Sequence, residues 1–245
     1  MSEAKLVILG TGTCQLEPER MASAVLVQLP EVQFLFDIGR GISNRLVQAG
    51  LRQDDLEHIV LSHFHPDHVE DLIPYLQAAC WSRIDPRSKT LHIYGPRGTQ
   101  VQIMRVMSLF GPDEIVKPDF DVQLHEIRED SFTIEGFTLF AHDLPPAGNR
   151  GIRFSHHGKN IALTGDSSFH QQEVDFLKDV DIAIIDSGHL SDEELVRLAI
   201  ESNAREIFLS HVYRTLDVPA LQASAQKGGY TGRFQMAHDM MEIKL

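Results

Sequence analysis

Cysteine is scarce in this chain. Only Cys14 and Cys80 carry a thiol among 245 residues, and they lie far apart with no C-x-x-C spacing. This pattern is typical of ordinary reduced thiols, because disulfide frameworks belong to oxidising compartments. We therefore expect a cytoplasmic location.

Long apolar runs, linkers, low-complexity tracts and short repeats are also missing. No run approaches the length of a membrane span. Residues Met1 to Lys5 lead into a predicted strand without the charged and apolar regions of a signal peptide. The composition, with 42% hydrophobic and 23% charged residues, is that of a globular chain with a substantial core. We expect one domain over residues 1–245 and no membrane partner.

Basic residues are outnumbered. The chain has 22 lysines and arginines against 35 acidic residues, which gives a net charge of -13. A field of that sign repels polyanions, so extended nucleic-acid binding is not expected. A small phosphate ester held in a metal site stays compatible with the charge, because bound cations offset it locally.

Histidine is the residue in excess, with 13 copies. Three of them and an aspartate form the pattern H-x-H-x-D-H, made by His63, His65, Asp67 and His68, directly after the apolar run 58–61. In an extended segment, the first two side chains point to the same face. Imidazole and carboxylate are ligands suited to zinc, manganese or iron. The motif therefore predicts a loop that serves two neighbouring metal ions.

Two ions need more ligands than this loop supplies. His142, Asp166 and His211 each follow a predicted strand, and the strand before His142 is expected to end at Ala141. Strand ends along one edge of a sheet converge in space, so all three side chains could reach one site. A carboxylate such as that of Asp166 can bridge two cations.

Hydrophobic patterning indicates an alternation of strands and helices in both halves of the chain. Strands are predicted at 5–9, 23–29, 32–36, 58–61, 91–94, 120–127, 132–134, 137–141, 152–155, 161–163, 181–185, 205–210 and 234–244. Helices are predicted at 42–48, from about 67 with a kink at Pro74, at 97–110 and at 191–203. This pattern favours two β-sheets packed together with helices outside. Loops at 81–89 and 111–119 are expected to shape the pocket.

Several segments together resemble the metallo-β-lactamase superfamily over nearly the whole chain. The matching segments are the 63–68 motif, Asp37-Ile38-Gly39, Gly10-Thr11-Gly12-Thr13, Tyr94-Gly95-Pro96-Arg97-Gly98 and Leu209-Ser210-His211. The last two are similar to the ribonuclease Z and cyclic phosphodiesterase branch. The resemblance implies an α+β fold, a four-layer αββα sandwich with a dinuclear site at the sheet edge.

The resemblance also implies how the ligands divide. It assigns His63, His65 and His142 to one metal, Asp67, His68 and His211 to the other, and Asp166 to a bridge between them. The cofactors expected from it are two divalent ions, zinc first, with Mn²⁺ or Fe²⁺ as alternatives. His189 lies 22 positions before His211, where that branch has a catalytic histidine, and Asp186 could orient it.

The predicted function is hydrolysis of a small or cyclic phosphate ester by a hydroxide on two metals. Asp67 is the expected proton acceptor for the attacking water, and His189 the expected donor to the leaving oxygen. Two alternatives stay open: a ribonuclease Z-like tRNA 3′-end endonuclease, and a non-catalytic metal-binding or sensor protein. Against the first stands the short interval from Asp166 to His189, which leaves no room for a long tRNA-binding arm. A homodimer is a further expectation from the branch.

Overall fold

Fourteen strands form two seven-stranded sheets among residues 4–111, 120–146 and 148–245, which are the ones that the computed structural model describes. The first sheet contains β1 (Lys5–Gly10), β2 (Ala24–Gln28), β3 (Gln33–Phe36), β4 (His58–Val60), β5 (Leu91–Gly95), β6 (Val122–Glu126) and β14 (Met241–Lys244), in the order β14-β1-β2-β3-β4-β5-β6. The second contains β7 (Ser131–Ile134), β8 (Phe137–Leu144), β9 (Asn149–His156), β10 (Lys159–Leu163), β11 (Ile182–Asp186), β12 (Glu206–Ser210) and β13 (Arg233–Met236), in the order β13-β12-β11-β10-β9-β8-β7.

Each sheet has an antiparallel half and a parallel half. In the first sheet β14, β1, β2 and β3 pair antiparallel, whereas β3 to β6 pair parallel. In the second sheet β7 to β10 pair antiparallel, and β10 to β13 pair parallel. Parallel neighbours need a crossover connection, and the helices supply it.

Seven helices cover the sheets within the described residues. They are α1 (Ile42–Gln48), α2 (Pro66–Val69), α3 (Leu72–Trp81), α4 (Thr99–Leu109), α5 (Gln171–Leu177), α6 (Asp192–Ser202) and α7 (Val218–Lys227). The described part of the chain holds no helix with the length and apolarity that a membrane crossing requires.

Three apolar cores separate four layers. The central core lies between the sheets, where the rings of Phe34 and Phe154 meet edge to face with centroids 5.8 Å apart. A second core packs α1, α3 and α4 on the first sheet, and a third packs α5, α6 and α7 on the second. Burial of one such large side chain contributes about 1.5–3 kcal/mol. The predicted αββα sandwich is confirmed.

The helix that follows the histidine motif differs from the prediction. It is broken into α2 and α3, and Pro74 lies in the first turn of α3. Proline is tolerated there because the first backbone N–H groups of a helix have no partner within it. The capping box that opens α6 at Ser191 is present as predicted. Of the two loops expected to shape the pocket, residues 112–119 lie outside the described part of the chain.

The strand β8 is also longer than predicted. It continues past Ala141 to Leu144 and pairs with β9 from Phe140 to Leu144, with His142 opposite Gly151. Side chains alternate along a strand. Because Ala141 faces the central core and Leu144 packs in the core under α5 to α7, the side chain of His142 faces the helix layer.

A carboxyl group lies in the core beneath α5. Glu173 is fully buried; one carboxyl oxygen accepts a hydrogen bond from Ser167 Oγ at 2.6 Å, and the other has no hydrogen-bond partner. Burial raises the pKa of Glu173 to about 8, and the hydrogen bond from Ser167 offsets this only in part. The folded chain therefore holds this proton at neutral pH.

Replacing Glu173 by Gln should make the stability of the protein less dependent on pH. Between the unfolded pKa near 4.5 and the folded value near 8, the folded state binds more protons, so stability falls as pH rises, by about 1.4 kcal/mol per pH unit. Glutamine cannot ionise and removes that slope. Denaturant unfolding from pH 5 to 8 measures it, with the exposed Glu193→Gln as the control. Parallel curves for both variants would contradict the assignment.

Candidate metal centre

Polar side chains collect at the edge where parallel strands of both sheets end. Asp37 follows β3, His63 belongs to the loop after β4, Asp166 follows β10, Asp186 ends β11 and His211 follows β12. Carboxyl ends of parallel strands open on the same edge, where connecting loops can place side chains over a crevice. The two sheets thus contribute to one site.

Asp166 is the hub of this site. Its Oδ1 lies 2.8 Å from His68 Nε2 and 3.2 Å from His211 Nε2. Its Oδ2 lies 3.5 Å from both His63 Nε2 and His65 Nδ1. One carboxylate therefore faces four imidazoles, two on each oxygen. This is the arrangement that a bridging ligand needs.

Four groups of His, Asp and Glu side chains among the described residues could hold a metal ion. Two of them include residues that were not predicted as ligands: Asp166, Asp186, His189 and His211 form one, and Glu31, His156 and His157 form the other. The remaining two groups consist only of predicted ligands. One group is His63, His65 and Asp166, and the other is Asp67, His68 and His211; within each group the ligand atoms lie within 4.8 Å of one another. The structure thus brings together six of the seven predicted ligands. The second group is wholly buried, whereas the side chain of His65 is 62% exposed.

Several of these atoms lack the hydrogen bonds that burial demands. His63 Nε2, His68 Nε2 and Asp166 Oδ1 are buried, and none makes a hydrogen bond of acceptable geometry. Buried polar atoms without partners are rare because each costs about 1–3 kcal/mol. A divalent cation would satisfy all three, and nitrogen with carboxylate oxygen is a donor set that zinc accepts. The residues present fit metal ions.

The electrostatics of the site also favour cations. Four aspartates, Asp37, Asp67, Asp166 and Asp186, are buried there, and every ion pair found for them among the described residues is to a histidine. Although burial opposes its charge, His211 has its pKa raised to about 9 by the carboxylates of Asp186 and Asp67 beside it. Burial alone would raise the pKa of Asp166, but the imidazoles of His63 and His68 beside it hold that pKa well below its usual range. Protons are thus attracted where a cation would bind.

Backbone conformation is unusual at two of these positions. Asp37 and His211 have φ angles of 61° and 51°, a left-handed conformation that costs non-glycine residues energy and often marks functional sites. Two positions near the site require glycine because neighbouring atoms lie too close for a Cβ atom. A Cβ on Gly39 would lie 2.1 Å from the carbonyl oxygen of Asp67, and one on Gly165 would lie 2.5 Å from Asn149 Oδ1. The backbone at Gly39 therefore packs against the backbone of the histidine loop, and the backbone at Gly165 packs against the side chain of Asn149.

Asp37 supports the histidine loop from behind. Its carboxylate accepts hydrogen bonds from the backbone N–H and the hydroxyl of Ser62, at 2.8 and 2.9 Å, and lies 2.7 Å from His68 Nδ1. A metal-ligating imidazole usually donates its other N–H in this way, which fixes its orientation. The sequence prediction did not assign Asp37 to the site, although the segment Asp37-Ile38-Gly39 was a signal for it.

His189 lies at the rim of the site. Its Nδ1 is 2.6 Å from Asp186 Oδ2, so the predicted orienting contact is present. This hydrogen bond raises the pKa of His189 above its ordinary value, although partial burial works against it. The ring stacks on His211 at a centroid distance of 5.3 Å, and Tyr213 packs against both rings. Sequence reasoning missed Tyr213.

His142 departs from the prediction. It is exposed, its ring packs against Phe176 of α5 at 5.1 Å, and it belongs to none of the ligand groups found among the described residues. The cause is the extension of β8: His142 lies inside the strand and not after it, so alternation turns its side chain to the helix layer. The first ligand group therefore has three members.

The family-level comparison agrees with this geometry. Residues 33–223 match the family model described as a beta-lactamase superfamily domain. The chain belongs to that superfamily. The metallo-beta-lactamase fold protein YhfI from Bacillus subtilis has the same fold, with a TM-score of 0.81, 20% identity and full coverage of both chains.

Other relatives in the superfamily carry named activities. Ribonuclease Z of Thermoplasma volcanium is 25% identical over 307 aligned residues, which cover 100% of this chain and 98% of that protein. A diphosphatase from the PhnP family has a TM-score of 0.71 and 19% identity, with 99% of this chain and 98% of that one covered. Further relatives named ribonuclease Z match over 38% to 61% of their own length. The expected likeness to the ribonuclease Z branch is confirmed.

Replacing Asp37 by Asn should weaken metal binding by about 10–100-fold. Asparagine tolerates the left-handed backbone but cannot accept hydrogen bonds from both Ser62 and His68 as a carboxylate does. Competition with a chromophoric chelator measures the affinity for zinc. The exposed Asp175→Asn is the control. Unchanged affinity in a folded Asp37→Asn protein would show that the contact does not support the ligand loop.

Replacing His142 by Ala should leave the metal content of the purified protein unchanged, because the side chain lies outside both ligand groups. His63→Ala should lower the content, since its Nε2 is one of the buried atoms without a partner. Elemental analysis after dialysis gives both values. Equal metal loss in the two variants would restore His142 as a ligand.

Proposed function

We propose that this protein is a metal-dependent phosphodiesterase with two divalent ions, zinc first, in the crevice at the sheet edge. The observation that carries the proposal is the convergence of four imidazoles on the carboxylate of Asp166, with buried ligand atoms that have no hydrogen-bond partner. His63 and His65 would hold one ion, and Asp67, His68 and His211 the other, with Asp166 shared.

Bound divalent ions supply Lewis acidity: they bring the pKa of a bound water near neutrality and stabilise charge on phosphoryl oxygens. The chain supplies the proton transfers. Asp67, buried at the centre of the site, accepts the proton of the attacking water. His189 faces Asp186 with Nδ1, which leaves Nε2 to donate a proton to the leaving oxygen. Asp186 acts through His189 by fixing its orientation.

The favoured substrate is a small or cyclic phosphate ester. The alignment with Ribonuclease Z of Thermoplasma volcanium has 307 positions against 245 residues here, so 62 of its positions have no residue of this chain. The segment between Asp166 and His189 holds only α5 and β11, and it offers no arm for a large RNA.

Cleavage of tRNA precursors at the 3′ end is the second candidate. The curated relatives named ribonuclease Z favour it. For the same reason the exclusion of nucleic acid that was drawn from the net charge is not supported. A cation-filled site and local arginines can bind RNA in spite of an acidic chain, because screening limits long-range repulsion to about 10 Å at 0.1 M salt.

Two further proposals concern the cell. Cys14 is exposed, and no disulfide joins it to Cys80, which supports a cytoplasmic location. A homodimer stays a prediction, and the molar mass from light scattering tests it.

Turnover of bis(p-nitrophenyl) phosphate tests the main proposal. Activity should disappear with a chelator and return with Zn²⁺, Mn²⁺ or Fe²⁺. A precursor tRNA with a 3′ trailer, assayed in parallel, distinguishes the second candidate. Metal binding without turnover of either substrate would favour a non-catalytic metal-binding protein.

Asp67→Ala and His189→Ala should both lower turnover by about 100-fold or more, but only Asp67→Ala should lower the metal content. Asp67 is one of the predicted ligands, whereas His189 lies at the rim of the site with Nδ1 facing Asp186. The exposed His238→Ala is the control for loss of an imidazole. Equal metal loss in both variants would reject the catalytic assignment of His189.

A further inference from the structure

A cavity of about 480 Å³ opens beside the metal centre, and three arginines line it. Arg97 follows β5, Arg128 follows β6, and Arg150 lies at the start of β9. Asp143 is the acidic residue in its wall. Three guanidinium groups against one carboxylate make this cavity cationic in a chain whose net charge is -13.

Arg150 is built into the cavity wall. The side chain is 7% exposed, and Nη1 donates to the carbonyl oxygens of Ile127 and Glu129, at 2.7 and 3.3 Å. Nε lies 2.9 Å from Asp143 Oδ1 but is buried without a hydrogen bond of acceptable geometry. Nη2 makes no hydrogen bond with the described residues. The guanidinium thus has one buried donor without a hydrogen bond, which is costly, and Nη2 is left free for a ligand.

The other two arginines are exposed and reach the cavity from neighbouring loops. Arg128 Nη2 lies 2.8 Å from Glu126 Oε2, whose other oxygen accepts from the backbone N–H of Gly98. Arg97 has no ion pair or side-chain hydrogen bond among the described residues. It therefore keeps its full set of five donors for a ligand.

The cavity shares a wall with the metal centre. The backbone N–H of Arg150 donates to the carbonyl oxygen of Ser62 at 3.0 Å, and Ser62 Oγ lies 2.9 Å from His63 Nδ1. Its neighbour Asn149 donates to the carbonyl oxygen of Thr164 at 3.0 Å, two residues before Asp166. Because β5 and β6 are the next two strands after β4, their ends lie about 5 and 10 Å to the side of the histidine loop.

We propose that this cavity binds a second, non-scissile phosphate of the substrate, so that the preferred substrates are nucleotides with at least two phosphates. The inference rests on the proposed phosphodiesterase activity and names its substrate class. A lateral distance of about 5–10 Å is one that a single nucleotide spans between its neighbouring phosphates.

The three arginines that line the cavity favour phosphate as its ligand. Guanidinium groups bind phosphate through paired, charge-assisted hydrogen bonds that match its geometry. The volume exceeds the need of a phosphate alone and falls in the range of small-molecule sites. Pro96 and Ile127 add apolar surface to the wall, which suits the sugar or base next to that phosphate.

Two matched substrates test the proposal: the 5′-(p-nitrophenyl) ester of thymidine 5′-phosphate, and the same ester with an added 3′-phosphate. With metal-loaded wild-type protein, the 3′-phosphate should raise kcat/KM about tenfold or more, mainly through a lower KM. Arg97→Ala should remove most of that advantage, and Arg97→Lys should restore part of it. Arg105→Ala, which removes an exposed charge from α4 outside the cavity, should retain the advantage.

A third substrate, a short single-stranded RNA, distinguishes a cavity that binds the phosphate of a nucleic-acid strand from one that binds the phosphate of a small nucleotide. Loss of rate on RNA but not on the bisphosphorylated ester in Arg97→Ala would assign the cavity to a strand and contradict the small-nucleotide preference. Equal kcat/KM for the two esters in wild type would overturn the proposal. So would an advantage that survives in Arg97→Ala.

If neither ester releases p-nitrophenol, the phosphodiesterase proposal is wrong, and that result does not test the cavity. The cavity is then tested by calorimetric titration of inorganic phosphate into metal-loaded protein. Arg97→Ala should bind one phosphate fewer than Arg105→Ala. An equal number of phosphates in the two variants would again overturn the inference.

Discussion

The site depends on keeping one carboxylate charged in the protein interior. Asp166 is 3% exposed, and an ionised group in such a place costs several kcal/mol unless opposite charge surrounds it. Four imidazoles from two separate segments meet that requirement: three come from the histidine loop of the first sheet, and His211 comes from the second sheet. The relative position of the two sheets is therefore tied to the chemistry. A slip of one sheet against the other would leave the carboxylate without partners.

Two further buried carboxylates, one from each sheet, each lie against an imidazole of the site. Asp37, from the first sheet, holds His68 by Nδ1, and Asp186, from the second, holds His189 by Nδ1. Each follows or ends a parallel strand at the same edge. The two halves of the sandwich thus make the same kind of contribution, one imidazole supported by one buried carboxylate. That repetition follows from the topology, since each sheet changes from antiparallel to parallel pairing before it reaches the site.

Local signals in the sequence predict the layers and most of the site well. The motif at residues 63–68 can be recognised from local sequence, because its spacing alone brings four candidate ligands, three histidines and one aspartate, into one loop. Asp166 and His211 were found because apolar strands end just before them. His142 was predicted as a ligand for the same kind of reason, but it lies outside the ligand groups found among the described residues. The end of β8 is set by its pairing with β9, a tertiary contact, and not by the residues next to His142.

Two other features could not be derived from local pattern. The break between α2 and α3 depends on a tertiary contact, since the backbone N–H of Ile38 donates to the carbonyl oxygen of His68 at 2.8 Å. The cavity beside the metal centre combines Arg97 and Arg128 from two loops with Arg150 from the start of β9, and isolated arginines in a sequence usually face water. Only the order of the strands shows that these loops are neighbours.

The order of the strands also determines when each sheet can be completed as the chain is synthesised. The last two strands complete different sheets: β13 pairs with β12, and β14 pairs with β1 at the opposite end of the sequence. A chain leaving the ribosome forms its N-terminal sheet with the outer edge of β1 unprotected until residues 241–244 emerge. Unpaired edges of this kind invite aggregation. The interval of greatest risk is therefore the one before residues 241–244 are made, when all the ligands are already present but the outer edge of β1 is still open.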